Sequence, residues 1–464
     1  MERRPGQLTT RAGAAPAVCC PGLATSAALC PRSHYAAVGN RNPDALRCFP
    51  SLYLTFPMKP RVIIIYVYNS CDDPLFKGNL LLLLQHVGLQ QPDLRLHLIT
   101  YEQVEYALSP SQQQQRHQDF AHYHIYWHPL KWHSGRFKLV KKAYDLVMGI
   151  GLVLRLKLFS KARSIVSLGT ISGSFAYLMA RMFGLRYYGY QYEPHSEFML
   201  DCRVWSENSL AYKGLHYLEK VSGMNADILS TGTEHMVQRL RSWGSQAQVY
   251  KLPSCVDEAK MQFRPAGRQR IRHQIGVAED RPVILYLGKF GGIYYEREVA
   301  TLFKAFLAER PDLFFLIVSP DAADYVQNLM TSEGLLPEQF AVTRSPYEQV
   351  PDYISAADFG VVAVPSFPSQ RFRSPIKVGE YLCCGLPYLV CAGVSEDDRV
   401  AGQYNVGVVV SEFSTAEAAR VWPGIQQLLA ENKEQSRIRC REAGIAYRGL
   451  TQYLPIAEDI FAQL

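Results

Sequence analysis

The feature that most constrains this chain is an alternation of strand and helix signals that begins near residue 58 and restarts once. Residues 61–68, RVIIIYVY, form an unbroken β-branched and aromatic run, the mark of a strand buried on both faces of a parallel sheet. A Leu-rich helix (77–89) follows, then strands at 94–100 and 123–127 and a long helical stretch at 136–161. Next come a strand at 164–168, a helix at 174–183 and a strand at 186–191. After an arginine-rich connector at 264–272 the pattern starts again. Strands fall at 282–287 (PVILYL), 313–318, 341–344, 359–364 and 388–391, with helices at 298–309, 350–356 and 377–384. Such β-α-β alternation builds parallel, doubly wound sheets. A chain of 464 residues also exceeds what one hydrophobic core holds. The fold class expected is α/β: two Rossmann-like parallel-sheet domains, 58–263 and 264–445, facing a central cleft. The remaining 446–464 ends in a helix expected to pack back on the first domain. Ligands of such folds sit at the carboxyl ends of the strands.

The first 57 residues read differently. They hold seven of the 27 prolines, four of the 11 cysteines, six Arg and two acids, and prolines interrupt every apolar stretch. No signal-peptide core forms, so the expectation is an unstructured extension ahead of Met58. The net charge of +7 then leaves the body only mildly basic, which gives no reason to expect a nucleic-acid partner. The other cysteines show no C-x-x-C spacing, so neither a zinc site nor a disulfide framework is expected, and a reducing, cytoplasmic setting follows. His122, His124, His128 and His133 lie close in sequence, but Asp119 is the one nearby carboxylate, and no metal is expected there. No apolar run is long enough to span a bilayer. The stretch 131–163 carries nine Lys/Arg against the single acid Asp145, interleaved with apolar residues. It suits docking on an anionic membrane surface, and equally a core helix with solvated basic ends.

The motifs narrow the chemistry. Neither the dinucleotide G-x-G-x-x-G nor the P-loop G-x-x-x-x-G-K-[ST] follows a strand, which argues against hydride transfer and P-loop chemistry. Gly288-Lys289-Phe290-Gly291-Gly292 follows the first strand of the second unit, where glycines allow close backbone approach and a lysine adds a cation. Ser374-Pro375-Ile376-Lys377-Val378-Gly379-Glu380-Tyr381 places a proline at a helix start and puts Lys377 and Glu380 on one face. A cation for phosphate beside a carboxylate for ribose hydroxyls suits a nucleotide. In the first unit, Tyr192-Glu193-Pro194-His195-Ser196-Glu197 follows the fifth strand at the cleft.

Three of these stretches together resemble the retaining glycosyltransferases of the GT-B fold, family 4: PVILYLGKFGGIYYEREVATLFKAF (282–306), YISAADFGVVAVP (353–365) and SPIKVGEYLCCGLPYLV (374–390). Looser matches occur at 169–184, 226–236 and 252–257. The resemblance implies roles. Glu380 matches the last glutamate of the family's E-x7-E motif, which holds the donor ribose. Lys377, with Ser374, matches the S-P-x-K-x-x-E-Y form of that segment. Lys289, within the Gly288 and Gly291 loop, faces the donor diphosphate, and Arg297 falls at the family's second basic position. His195 matches a histidine that faces the transferred sugar; Glu193 and Glu197 are competing candidates for polar contact with the sugar hydroxyls, and His195 and Glu193 are the catalytic candidates. Phe372 stands where the first motif glutamate would be, and the glycine-rich loop of the first unit is missing.

The function expected is retaining transfer of a sugar from a nucleotide-diphosphate-sugar donor to a glycan or lipid-linked acceptor. It requires no cofactor or metal beyond the donor itself, and it fits polysaccharide biosynthesis at the inner face of a membrane. Phe372 keeps a second class open, an inactive GT-B binding partner of another transferase. A nucleotide-sugar epimerase of the same fold is a third reading.

Overall fold

The computed structural model describes residues 59–133 and 138–464, with the backbone alone at 138 and 139. The extension expected at 1–57, Arg136 and the Lys138 side chain lie outside the described residues.

The first lobe is built on seven strands: β1 (Arg61–Tyr66), β2 (Leu94–Glu102), β3 (Ile125–Lys131), β4 (Ser164–Leu168), β5 (Arg186–Tyr190), β6 (Ile228–Thr231) and β7 (Gln248–Lys251). They lie in the order β3-β2-β1-β4-β5-β6-β7, and every pairing is parallel. The central strand explains the arrangement. Ile63 and Ile65 enter one apolar cluster, Ile64 and Tyr66 another on the opposite face, and all four are fully buried. Each such side chain contributes about 1.5–3 kcal/mol on burial, so β1 is stable only with helices on both sides.

The second lobe repeats the plan with six strands: β8 (Val283–Leu287), β9 (Phe314–Val318), β10 (Phe340–Thr343), β11 (Phe359–Val361), β12 (Tyr388–Cys391) and β13 (Gly407–Val410), in the order β10-β9-β8-β11-β12-β13. Its pairings are also all parallel.

The helix after β4 starts earlier than its sequence predicts, at Gly169 rather than Ser174. The Ser172 and Ser174 hydroxyls donate to the Leu168 and Thr170 carbonyls one turn back, which lets a polar stretch stay helical. The chain leaves the first lobe through Val256 and returns at Gly449. The Val256 N–H donates to the Arg448 carbonyl at 2.8 Å, and the Leu450 N–H donates to the Val256 carbonyl at 2.9 Å. The terminal helix Leu450–Ala462 then packs on the first lobe, with Ala457, Ile460 and Phe461 in the cluster that holds Ile63. The Arg61 guanidinium donates to the Phe461 carbonyl at 2.9 Å, and Ser164 Oγ donates to that of Leu464 at 2.6 Å.

Candidate active site between the lobes

On the second-lobe side, β8 runs into the loop Gly288–Gly292. Gly291 and Gly292 take φ of +72° and +66°, a region that favours glycine. The loop is tied down by the Phe290 N–H, which donates to Asp321 Oδ2 at 2.8 Å, and by the Gly288 N–H, which donates to the Val318 carbonyl at 3.1 Å. Lys289 is exposed, and among the described residues its ammonium has no ion-pair or hydrogen-bond partner. Arg297 is not brought to this loop by its contacts. It opens the helix Arg297–Glu309, stands 74% exposed and pairs with Glu333, because that carboxylate lies within its reach at the end of the next helix.

The helix Lys377–Cys383 is pinned beside the loop by one tyrosine. The Tyr381 hydroxyl accepts from the Leu287 N–H at 3.2 Å and donates to the Val361 carbonyl at 3.3 Å. Gly379 allows the helix to press against the crossover, since a Cβ there would lie 2.8 Å from Arg448 Cβ and Val256 Cγ2. Glu380 is 1% exposed. Its Oε2 accepts from Lys377 Nζ at 2.8 Å; its buried Oε1 has no hydrogen bond of good geometry among the described residues, although the Tyr347 hydroxyl lies near enough for the carboxylate to raise that tyrosine's pKa. Leaving such an acceptor unsatisfied costs about 1–3 kcal/mol, which a ligand hydroxyl would recover. No side chain caps the first turn of this helix. Ser374 serves the lobe junction: its Oγ accepts from the Ser254 N–H at 3.1 Å and from the buried Arg448 guanidinium. Arg448 in turn pairs with the buried Asp397 at 3.2 Å.

The first-lobe side is the end of β5 and the helix His195–Asp201. Ser196 anchors that helix. Its N–H donates to Glu219 Oε1 at 3.0 Å and its hydroxyl donates to Oε2. Burial, with Glu197 and Glu193 nearby, pushes the Glu219 carboxyl up to about 7. Burial also lowers the His195 pKa, with Arg373 acting in the same direction and Glu193 opposing it. The imidazole is therefore neutral at neutral pH. Glu193 is engaged across the cleft by Arg373, which reaches its two oxygens at 3.1 and 3.2 Å. Glu197 pairs with Arg239, whose guanidinium stacks 4.6 Å from the Phe372 ring and 4.8 Å from that of Trp243. Phe372 thus closes on a first-lobe cation instead of offering a carboxylate to the cleft.

The structure therefore brings Glu193 against Arg373, near enough to His195 to act on its charge, and Glu197 against the Arg239 that stacks on Phe372. It also places Lys289, Lys377 and Glu380 at the strand ends of the opposing lobe. Sequence reasoning missed Arg239, Arg373 and Glu219. Arg373 sits directly before the Ser374 motif, but nothing in the sequence pairs it with Glu193. The clustered histidines separate: His128 Nε2 lies 2.9 Å from His97 Nδ1, and His133 Nδ1 lies 2.5 Å from Asp145 Oδ1. Burial, with His97 beside it, drives His128 down to about 4. Among the described residues no group of three or more His, Cys, Asp or Glu could hold a metal ion.

Two parallel-sheet lobes joined by a double crossover, with opposed strand ends lining the junction, define the GT-B class of architecture. Residues 267–445, most of the second lobe, match the family model described as glycosyl transferases group 1, so that lobe carries a glycosyltransferase domain. Solved structures share the whole two-lobed fold. Sucrose-phosphate synthase from Thermosynechococcus elongatus aligns with a TM-score of 0.64 at 17% identity, over 87% of this chain and 98% of its own. Anabaena Alr3699/HepE in complex with UDP-glucose aligns at 0.61 and 12%, over 87% and 100%. WaaG, a glycosyltransferase involved in lipopolysaccharide biosynthesis, aligns at 0.57 and 16%, over 86% and 99%. No curated protein sequence matches the chain.

Proposed function

We propose that the protein transfers a sugar, with retention of configuration, from a nucleotide-diphosphate donor to a glycan or lipid-linked acceptor. The observation that carries this reading is the buried Glu380 carboxylate beside Lys377, whose Oε1 has no hydrogen bond among the described residues, on the same lobe as Lys289 at the end of β8, whose ammonium has no partner among them either. The donor ribose completes the Glu380 carboxylate. Lys289 and the uncapped first turn of the Lys377 helix neutralise the diphosphate as it leaves, so charge is stabilised where it develops. The neutral His195 imidazole presents a hydrogen-bonding ring to the transferred sugar. Glu193, held by Arg373, orients the sugar's hydroxyls in place of the glutamate that Phe372 displaces. Closure of the lobes excludes water, which favours transfer over hydrolysis.

The acceptor reaches the first lobe at a membrane surface in this reading. The helix Lys138–Phe159 buries Asp145, Gly149, Val153 and Leu156 on one face. Its other face exposes Val140, Tyr144, Val147, Met148, Leu154 and Leu158 together with Lys142 and Arg155. The one acid points inward to His133, so the outward face carries only apolar and basic side chains, which complements anionic lipid. No helix among the described residues is long and apolar enough to cross a membrane. Phe372 is the observation that favours the second reading, a non-catalytic partner of a transferase. Measuring release of free nucleoside diphosphate from a panel of UDP-, GDP- and dTDP-sugars, with and without acceptors, tests the choice. Release from at least one donor is expected; donor binding with no turnover under any condition supports the non-catalytic partner.

A further inference from the structure

At the edge of the first sheet away from His195, β2 and β3 end beside a cavity of about 220 Å³. Trp127, Trp132, Glu102, Lys131, Gln103 and Gln113 contribute to its walls. Glu102 and Lys131 close their strands at the same register position. The Glu102 carboxylate is fixed from behind: Oε1 accepts from Thr100 Oγ1 at 2.6 Å and from the Cys71 N–H at 3.1 Å. Trp127 is fixed by the same threonine, its indole donating to Thr100 Oγ1 at 2.7 Å. The Trp132 N–H donates to the Glu102 carbonyl at 3.2 Å. Against this rigid frame, Glu102 Oε2 is buried and without a partner, and the exposed Lys131 ammonium has none among the described residues.

These groups select a ligand by chemistry. Val104, Ala107 and Leu108 make the rest of the wall apolar; a purely apolar ligand would leave Lys131 and the Gln103 and Gln113 amides at its rim unused, and a phosphate would sit against the Glu102 carboxylate behind it. A pyranose ring satisfies both kinds of wall. Its C–H face packs on indole, and its hydroxyls donate to a carboxylate and accept from an ammonium or amide. The volume lies below the roughly 300–1,000 Å³ of pockets that hold drug-sized ligands, so it suits a single ring. We propose that this cavity is a sugar-binding subsite that holds one pyranose unit of the acceptor, with Trp132 as its platform and Glu102 as its hydroxyl acceptor. The acceptor assignment rests on the glycosyltransferase reading; the sugar assignment rests on the cavity alone.

The test uses the full chain and a panel of methyl glycosides of glucose, galactose, mannose and N-acetylglucosamine. Binding is followed by saturation-transfer NMR and tryptophan fluorescence, and the thermal shift given by UDP is recorded in parallel. At least one glycoside is expected to bind. Its dissociation constant should rise about tenfold in Glu102→Gln and in Lys131→Met, and binding should be lost in Trp132→Ala. The UDP shift should stay unchanged in all three. If no glycoside binds the parent protein, or if all three variants bind as the parent does, the subsite is refuted, whatever UDP does. If a glycoside binds with the expected variant pattern but no nucleotide shifts the melting temperature, the sugar site stands and the glycosyltransferase reading falls. Lys131 is exposed, so its variant keeps the test decisive should Glu102→Gln fold poorly.

Discussion

Glu380→Gln separates the two jobs that the Glu380 carboxylate performs. The side chain is 1% exposed, one oxygen sits 2.8 Å from Lys377 Nζ and the other, also buried, has no hydrogen bond among the described residues. Glutamine keeps the volume but only one accepting oxygen, and it removes the charge. Either the amide nitrogen faces Lys377, or the Oε1 position assigned to the ribose becomes a donor. Charge-assisted hydrogen bonds contribute about 1.5–3 kcal/mol, so the dissociation constants of UDP and uridine should rise roughly 10- to 150-fold. The buried position suggests a structural cost as well, but Lys377 is 32% exposed and can turn to water, so that cost is small. The reverse change is the control. Lys377→Met removes the one cation paired with the buried Glu380 side chain, which should destabilise the fold by about 3–5 kcal/mol. Calorimetric titration of UDP and uridine, with denaturant unfolding of both variants, reads both effects. A folded Glu380→Gln protein that binds UDP as tightly as the parent would refute the placement of the ribose.

Three further outcomes follow from the geometry. A Cβ at Gly232 would lie 2.2 Å from Ser374 Cβ across the lobe junction, so Gly232→Ala should cost about 1–3 kcal/mol of stability in the same unfolding assay. Glu219 has an ordinary value of 4.5 and a folded value of about 7, so the folded state holds a proton that the unfolded state has lost between these limits. Its contribution is therefore present at pH 4.5 and lost as pH rises through 7; at about 1.36 kcal/mol per pH unit this is on the order of 3 kcal/mol, and Glu219→Gln should flatten that part of the stability–pH curve. The outward face of the helix Lys138–Phe159 should sediment with anionic vesicles in a salt-sensitive way, and Lys142→Glu with Arg155→Glu should abolish it, each basic residue contributing about 1 kcal/mol; equal sedimentation on neutral vesicles would contradict this.

Much of the architecture was legible because buried parallel strands announce themselves. The runs at 61–68, 282–287 and 313–318 have no polar interruption, and each became a central strand. The helix Pro110–Ala121 was not legible. It is rich in glutamine, buries little beyond Phe120, and is set by a Ser109–Gln112 capping box rather than by an apolar stripe. The short strands β6, β7 and β13 were missed: ILST and QVYK mix polar with apolar residues and GVVV opens on a glycine, whereas the equally short β12, YLVC, is an unbroken apolar run and was read. In the site, the Lys377–Glu380 pair was legible because i,i+3 spacing on a helix dictates it. The spacing does not show, however, that Glu380 is buried. The Arg373–Glu193 and Arg239–Phe372 contacts join residues far apart in sequence, and only the packing of one lobe on the other creates them. Arg297 shows the converse, since a basic residue at the right spacing is taken by Glu333.

The most direct test of the account is a thermal-shift screen of the full chain against UDP-, GDP- and dTDP-sugars, run beside Lys289→Ala and Glu380→Gln. Binding to the folded state alone stabilises by mass action, about 2.7 kcal/mol when a ligand is present at a hundred times its dissociation constant. The account predicts that at least one nucleotide-sugar class raises the melting temperature of the parent protein, and that both variants lose most of that rise at the same ligand concentration. No rise with any donor, or an undiminished rise in both variants, would contradict it.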